Sequence, residues 1–393
     1  MPKKKKNNAT SNVSLIILYF SGLILAISSA LPAYIQSNFL NQFVSLRTLS
    51  LFFISANILT VFFIILFPNL IKKLKNFFLT KTILVIYAAS LFGLSMADNP
   101  VSALISTIFF TVSNNLIWIN MDILVENFSQ NSSTGKTRTI YFTFINLGWI
   151  FAPALSSYLI GLGGYQLPFL VAAFLTVPVF LIFFYQSSRL KDSVTYSQEK
   201  ITTIIKKTWK NKNLRGIFFV ALLLQLFYST AVVYLPIYLH QNMGIGWESL
   251  GLMFSIMLVP FIIFEIPAGI IADKYLGEKE ILFLGFTILA ISLLCFFLIK
   301  TDAFIIWASI LFLSRVGASL VEAMRETYFF KIVDAKDIGY INIFRTAAPL
   351  GYIIGPSLAI LILAFLPLNY LFLVMAIIML SGFGFVISLK DTK

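Results

Sequence analysis

Two apolar stretches carry the ionisable residues with which this chain could do chemistry. In one, Asn115, Trp118, Asp122 and Glu126 recur at i, i+3, i+7 and i+11; in the other, Arg315, Glu322 and Glu326 recur at i, i+7 and i+11, with Arg325 adjacent. Those spacings place each set along one face of a helix. In hydrocarbon a central charge costs at least about 2.5 kcal/mol unless it is paired or hydrated, so these residues are expected to face a protein interior or a water-filled cavity. Three kinds of chemistry are open to them: recognition of a charged solute, ion pairing that latches helices together, and proton carriage by a carboxylate. Arg315 falls near the middle of its stretch, where it could meet an anionic solute or a coupling carboxylate. Asp122, Glu126, Glu322, Arg325 and Glu326 fall nearer one end, where gate pairing and proton carriage are both open. Asn57, Asn114 and Trp149, with Gln225 and Tyr228, are uncharged candidates for lining a cavity at middle depth. The alternative for them is ordinary packing, with the amides bonding across helices.

The elements that must position these residues are membrane spans. With 59% hydrophobic and 11% charged residues among 393, the chain cannot make a water-soluble surface. Apolar stretches at 13–36, 47–67, 77–97, 102–125, 139–160, 167–186, 216–239, 250–271, 281–299, 303–328, 339–363 and 370–389 are each about long enough, as helices, to cross roughly 30 Å of hydrocarbon. The expected fold is an all-α integral membrane protein with twelve transmembrane helices. The expected division is a basic N-terminus at 1–12, a six-helix bundle at 13–186, a polar linker at 187–214, a second bundle at 215–389 and a tail at 390–393. Within the linker, 201–210 could form an amphipathic surface helix or remain a solvated connection.

Twenty-four of the 29 Lys and Arg residues lie in the termini, the linker and the even-to-odd connections, whereas the opposite connections carry only Arg47 and Lys300. Positive loops stay cytoplasmic. Both termini and the linker are therefore expected in the cytoplasm, the protein being multi-pass in the cytoplasmic (inner) membrane. The net charge of +13 is spread over loops without a recognition motif, so anionic membrane lipids, not nucleic acid, are the expected partners. The apolar stretch after Lys3–Lys6 exceeds a signal-peptide core and reads as an uncleaved first span. One Cys, Cys295, and one His, His240, offer no metal cluster or His-based triad, and no cofactor and no enzymatic activity are expected. His240 reads as an interfacial residue.

An internal repeat organises the spans. Leu31-Pro32-Ala33-Tyr34-Ile35 returns as Leu235-Pro236-Ile237-Tyr238-Leu239, Pro68 returns as Pro267, and Gly148 with Pro153 returns as Gly351 with Pro356. Each pair is about 200 positions apart, as expected for two pseudo-symmetric six-helix bundles with a site at their interface.

Gly269, Asp273, Lys274 and Gly277, followed by Lys279, match a loop pattern G-x3-D-[RK]-x-G-x-[RK] with one residue inserted before the second glycine. The motif resembles that of the major facilitator superfamily, and span count, central linker and repeat extend the resemblance over the whole chain. The equivalent first-half segment, Pro68 to Lys75, lacks both Gly and Asp, so a latch is expected chiefly in the second half. Gly148 with Pro153, and Gly351, Gly355 and Pro356, resemble the Gly-Pro motif of the superfamily's drug/proton antiporters, in which small residues let helices pack closely and rock. The resemblance implies a monomeric secondary transporter moving a small molecule by alternating access, first as a proton-coupled exporter. Uptake of a small nutrient, and a non-transporting relative of the same fold, are the alternatives.

Overall fold

The computed structural model describes residues 8–74, 76–128, 134–185, 201–333 and 338–390. Among these residues there is helix and no strand. Twelve helices among them are long and apolar enough to cross a membrane. The first six are span 1 (Val13–Asn41), span 2 (Leu46–Phe67), span 3 (Phe77–Ser95), span 4 (Pro100–Val125), span 5 (Ile140–Gly163) and span 6 (Gln166–Tyr185). The second six are span 7 (Lys212–Asn242), span 8 (Trp247–Ala272), span 9 (Glu278–Leu298), span 10 (Phe304–Ile332), span 11 (Gly339–Leu363) and span 12 (Asn369–Ser388). The protein is thus a multi-pass, all-α membrane protein.

The chain forms two compact units: Met1–Ala33 with Phe62–Thr195, and Tyr34–Val61 with Tyr196–Lys393. In the first, span 1 packs on spans 4, 5 and 6, and span 3 on spans 4 and 6. In the second, span 7 packs on spans 10, 11 and 12, and span 9 on spans 10 and 12. Adding six to each span number in the first set gives the second set, but span 8 also packs extensively on span 10, a contact with no comparable span 2–span 4 counterpart among the described residues.

The repeated glycines sit at equivalent helix contacts. A Cβ added at Gly148 on span 5 would lie 2.8 Å from the Ala26 methyl and 3.0 Å from the Leu23 carbonyl on span 1. One added at Gly351 on span 11 would lie 2.6 Å from Cβ and 2.7 Å from the backbone carbon of Gln225 on span 7, and one at Gly355 would collide with Ser229 Oγ. Backbone meets backbone at both places, and only a residue without a side chain fits. Gly285 on span 9 and Gly317 on span 10 form a comparable contact, since an added Cβ would lie about as close to the other's carbonyl, at 3.0 and 2.9 Å.

Pro32 and Pro236 lie at interruptions of their helices, whereas Pro68, Pro153, Pro267 and Pro356 sit inside continuous ones. Pro32 ends the first helical segment at Ala33, and a turn at Tyr34 precedes Gln36–Asn41. Pro236 has no N–H and would crowd the Val232 carbonyl in an α-helix. The chain widens there into a π-helical turn, Thr230–Tyr234, in which the Leu235 N–H reaches the Thr230 carbonyl, and a second one follows at Tyr238–Asn242. Span 11 breaks at Thr346, between Ile338–Arg345 and Ala347–Leu363, because Pro349 cannot bond the Arg345 carbonyl.

Tyr34–Val61 joins the second unit through named contacts. Tyr34 stacks on Phe254 with ring centres 5.0 Å apart, and Ser50 and Tyr234 share a 2.6 Å hydrogen bond. Asn41 donates to Gln241 at 3.1 Å, and Gln241 donates to Asn38 at 3.3 Å. Of the two readings of 201–210, the helix is found: Ile201–Lys210 buries Ile204 and Thr208 and stacks Trp209 on Phe219. Asn211 then caps span 7 by accepting from the N–H groups of Asn213 and Leu214.

Candidate functional site

The polar candidates of the first unit are mostly spent on holding helices. Asn114 accepts from Ser29 Oγ on span 1 at 2.8 Å, and Ser28 and Ser29 both reach the Tyr87 hydroxyl on span 3. Asn115 donates to the Thr111 carbonyl of its own helix. Trp118 and Trp149 are half-buried, and Asp122 is engaged. Asn120, which the sequence reading passed over, is fully buried and donates to Thr80 at 2.5 Å. Asn57, in the other unit, bonds back to the Phe53 carbonyl. The side chains of Glu126 and Asp273 lie outside the described residues.

The second unit brings Gln225, Tyr228, Arg315, Glu322, Arg325 and Glu326 together on spans 7 and 10, and span 11 adds Arg345. The Tyr228 hydroxyl donates to Glu322 Oε2 at 2.6 Å. Arg325 stands 3.3 Å from Glu322 Oε1 and 3.6 Å from Glu326 Oε1. Arg345 grips Glu326 with both ends of its fork, at 2.8 and 3.1 Å. In the second unit these carboxylates pair with arginines of spans 10 and 11. One helical turn separates Glu322 from Arg325 and Glu326, and the break at Thr346 delivers Arg345 to them.

Arg315 makes none of these pairs. Its side chain is 1% exposed, Nη1 and Nη2 have no hydrogen-bond partner, and its guanidinium carbon lies 5.1 Å from the Phe227 ring centre and 5.8 Å from that of Tyr228. Gln225 is half-buried one turn before Tyr228, held against Gly351. Arg345 was visible in the sequence as a charge near a span, but its role depends on the break in span 11. Phe227 gave no signal in the sequence, because an aromatic in an apolar helix looks like any core residue.

In the loop motif, Gly277 adopts φ +103°, which only glycine tolerates cheaply, and so turns the chain into span 9. Close approach is not what Gly269 supplies: an added Cβ there would meet no atom within 4 Å. The neighbouring Glu278 is 2% exposed and holds Lys331, at the end of span 10, at 2.5 Å. It fastens spans 9 and 10, and its presence in the motif was the only hint of it in the sequence. His240 binds the Ile245 carbonyl at 2.9 Å and packs on Trp247, a local structural role.

A sequence model of the Major Facilitator Superfamily matches residues 17–259 and again 217–393. The chain belongs to the major facilitator superfamily. No curated protein matches by sequence. Among solved structures, a mutant form of the nucleoside transporter NupG is similar over 95% of this chain and 100% of its own, with TM-score 0.73 and 14% identity. A bacterial homologue of the human lysosomal transporter Spinster, in an inward-facing and occupied conformation, is similar over 96% of both chains, with TM-score 0.74 and 10% identity. At those identities the likeness is one of fold. Membership in this superfamily of transporters supports secondary transport as the function.

Proposed function

We propose that this major facilitator is a proton-coupled exporter of a small amphipathic molecule, with Glu322 as the carboxylate that takes up and releases the proton. The observation that carries this reading is the unequal hold on two neighbouring carboxylates. Glu326 is gripped by both ends of the Arg345 fork, whereas Glu322 shares Arg325 and is otherwise held by a phenol. If Glu322 is protonated, Arg325 keeps Glu326 as a counter-ion and no buried guanidinium is stranded. Protonating Glu326 would leave Arg345 without the carboxylate it grips. The Glu322 side chain is also 31% exposed, which gives water a route to it. Export is favoured over uptake by the Gly-Pro motif, whose glycines sit on the span 1–span 5 and span 7–span 11 contacts.

The test is transport in proteoliposomes by wild-type protein and Glu322→Gln, screened with fluorescent amphipathic anions and cations. The variant is expected to exchange solute for solute but to lose concentrative movement driven by a pH gradient. Gradient-driven accumulation by Glu322→Gln at the wild-type level would remove Glu322 from this role.

A further inference from the structure

We propose that Arg315, walled by Phe227 and Tyr228, receives the anionic group of the transported molecule, which makes the substrate class an organic carboxylate or sulfonate with an apolar body. This rests on the chain being a carrier, and it goes beyond that reading by naming what is carried. Arg315 lies at the middle of span 10, where an uncompensated charge is most costly. Its carboxylate neighbours are committed elsewhere: Glu322 to Tyr228 and Arg325, and Glu326 to Arg325 and Arg345. Glu265, on the packed neighbour span 8, has its own partner. From span 11 the phenol of Tyr352 interacts electrostatically with Arg315. Two aromatic faces offset part of the cost of burying the guanidinium but accept none of its N–H bonds. The guanidinium sits to one side of the two rings, whose centres are 5.8 Å apart and tilted by 54°, and a carboxylate fits its unbonded fork with two parallel bonds. The Phe227 and Tyr228 rings suit an apolar body attached to that acceptor.

The experiment is thermal unfolding of purified protein in detergent at neutral pH, with no membrane and no gradient. The probes are benzoate and naphthalenesulfonate, each compared with its uncharged amide. The acids are expected to raise Tm and the amides not. In Arg315→Gln the apparent affinity for the acids should fall by about 10- to 100-fold, the usual cost of losing hydrogen bonds to a charged group. Arg315→Lys keeps the charge without the fork, so it should still prefer acid to amide, at reduced affinity. Equal binding of acid and amide, absence of a shift with both acids, or wild-type binding by Arg315→Gln would each overturn the proposal. Should Arg315→Gln fail to fold, indifference of Arg315→Lys to acid and amide does the same. Binding in detergent involves no proton gradient, so failure of proton coupling and failure of this site give separate results.

Discussion

Tyr228 is the side chain on which the two proposed chemistries meet, with its hydroxyl on Glu322 and its ring beside Arg315. Tyr228→Phe removes the first contact and keeps the second. Interhelical bonds of this kind in membranes contribute on average roughly 0.6 kcal/mol and at most about 2, so the variant should fold, and its Tm should fall by only a few degrees. Solute binding should persist while the pH dependence of flux changes. A flux–pH profile superimposable on wild type would mean that the hydroxyl has no part in coupling. Residue types and helical spacing were enough to single out Arg315, Glu322, Arg325 and Glu326, because a charge in an apolar span needs a reason. Which charges pair was not legible, since Arg345 arrives from span 11 and Asn114 finds Ser29 on span 1. A sequence lists donors and acceptors, but only the fold decides which ones meet.

At the scale of helices, the account depends on backbone contacts that tolerate no added side chain. Gly351→Ala places a methyl against the Gln225 backbone, and overpacking of this kind costs about 1–3 kcal/mol. Thermal unfolding in detergent should show a lower Tm. Gly269→Ala, with open space around it, should stay within about 0.5 kcal/mol of wild type by the same measurement. Equal tolerance at both sites would show that the span 7–span 11 contact is not tight. The recurrence of Gly and Pro along the chain revealed these contacts, because small residues and helix breaks leave a mark in sequence. The opposed glycines Gly285 and Gly317 were missed, since each stands alone in its helix without a repeated partner. The π-helical turns of span 7 were equally hidden: Pro236 announces a defect, but whether the helix kinks or widens depends on its neighbours.

For the molecule as a whole, the charge distribution along the chain implies an orientation that impermeant labelling can check. A Cys placed at Asn99 should react from outside intact cells and one at Ser197 should not; the reverse pattern would invert the topology. Asn38 and Asn41 bond Gln241 within one compact unit, and a carrier in which span 1 moves against span 7 must break these bonds during its cycle. A short bifunctional crosslinker across Asn41→Cys and Gln241→Cys should therefore stop transport, with activity returning on cleavage of the link. Undiminished transport by the linked protein would show that these contacts persist throughout the cycle. Fold class, span number and duplication were legible from composition and repeats, whereas the grouping of Tyr34–Val61 with the second unit was not, because it arises from contacts between distant stretches. The central claim is that solute movement is tied to proton movement at Glu322. Its most direct test encloses a pH-sensitive dye in proteoliposomes carrying the purified protein, and adds a solute that stabilises the protein against heat. The account predicts that wild-type protein changes the internal pH as the solute crosses and that Glu322→Gln does not. Solute flux without any pH change in wild-type vesicles, or an undiminished pH change with Glu322→Gln, would contradict it.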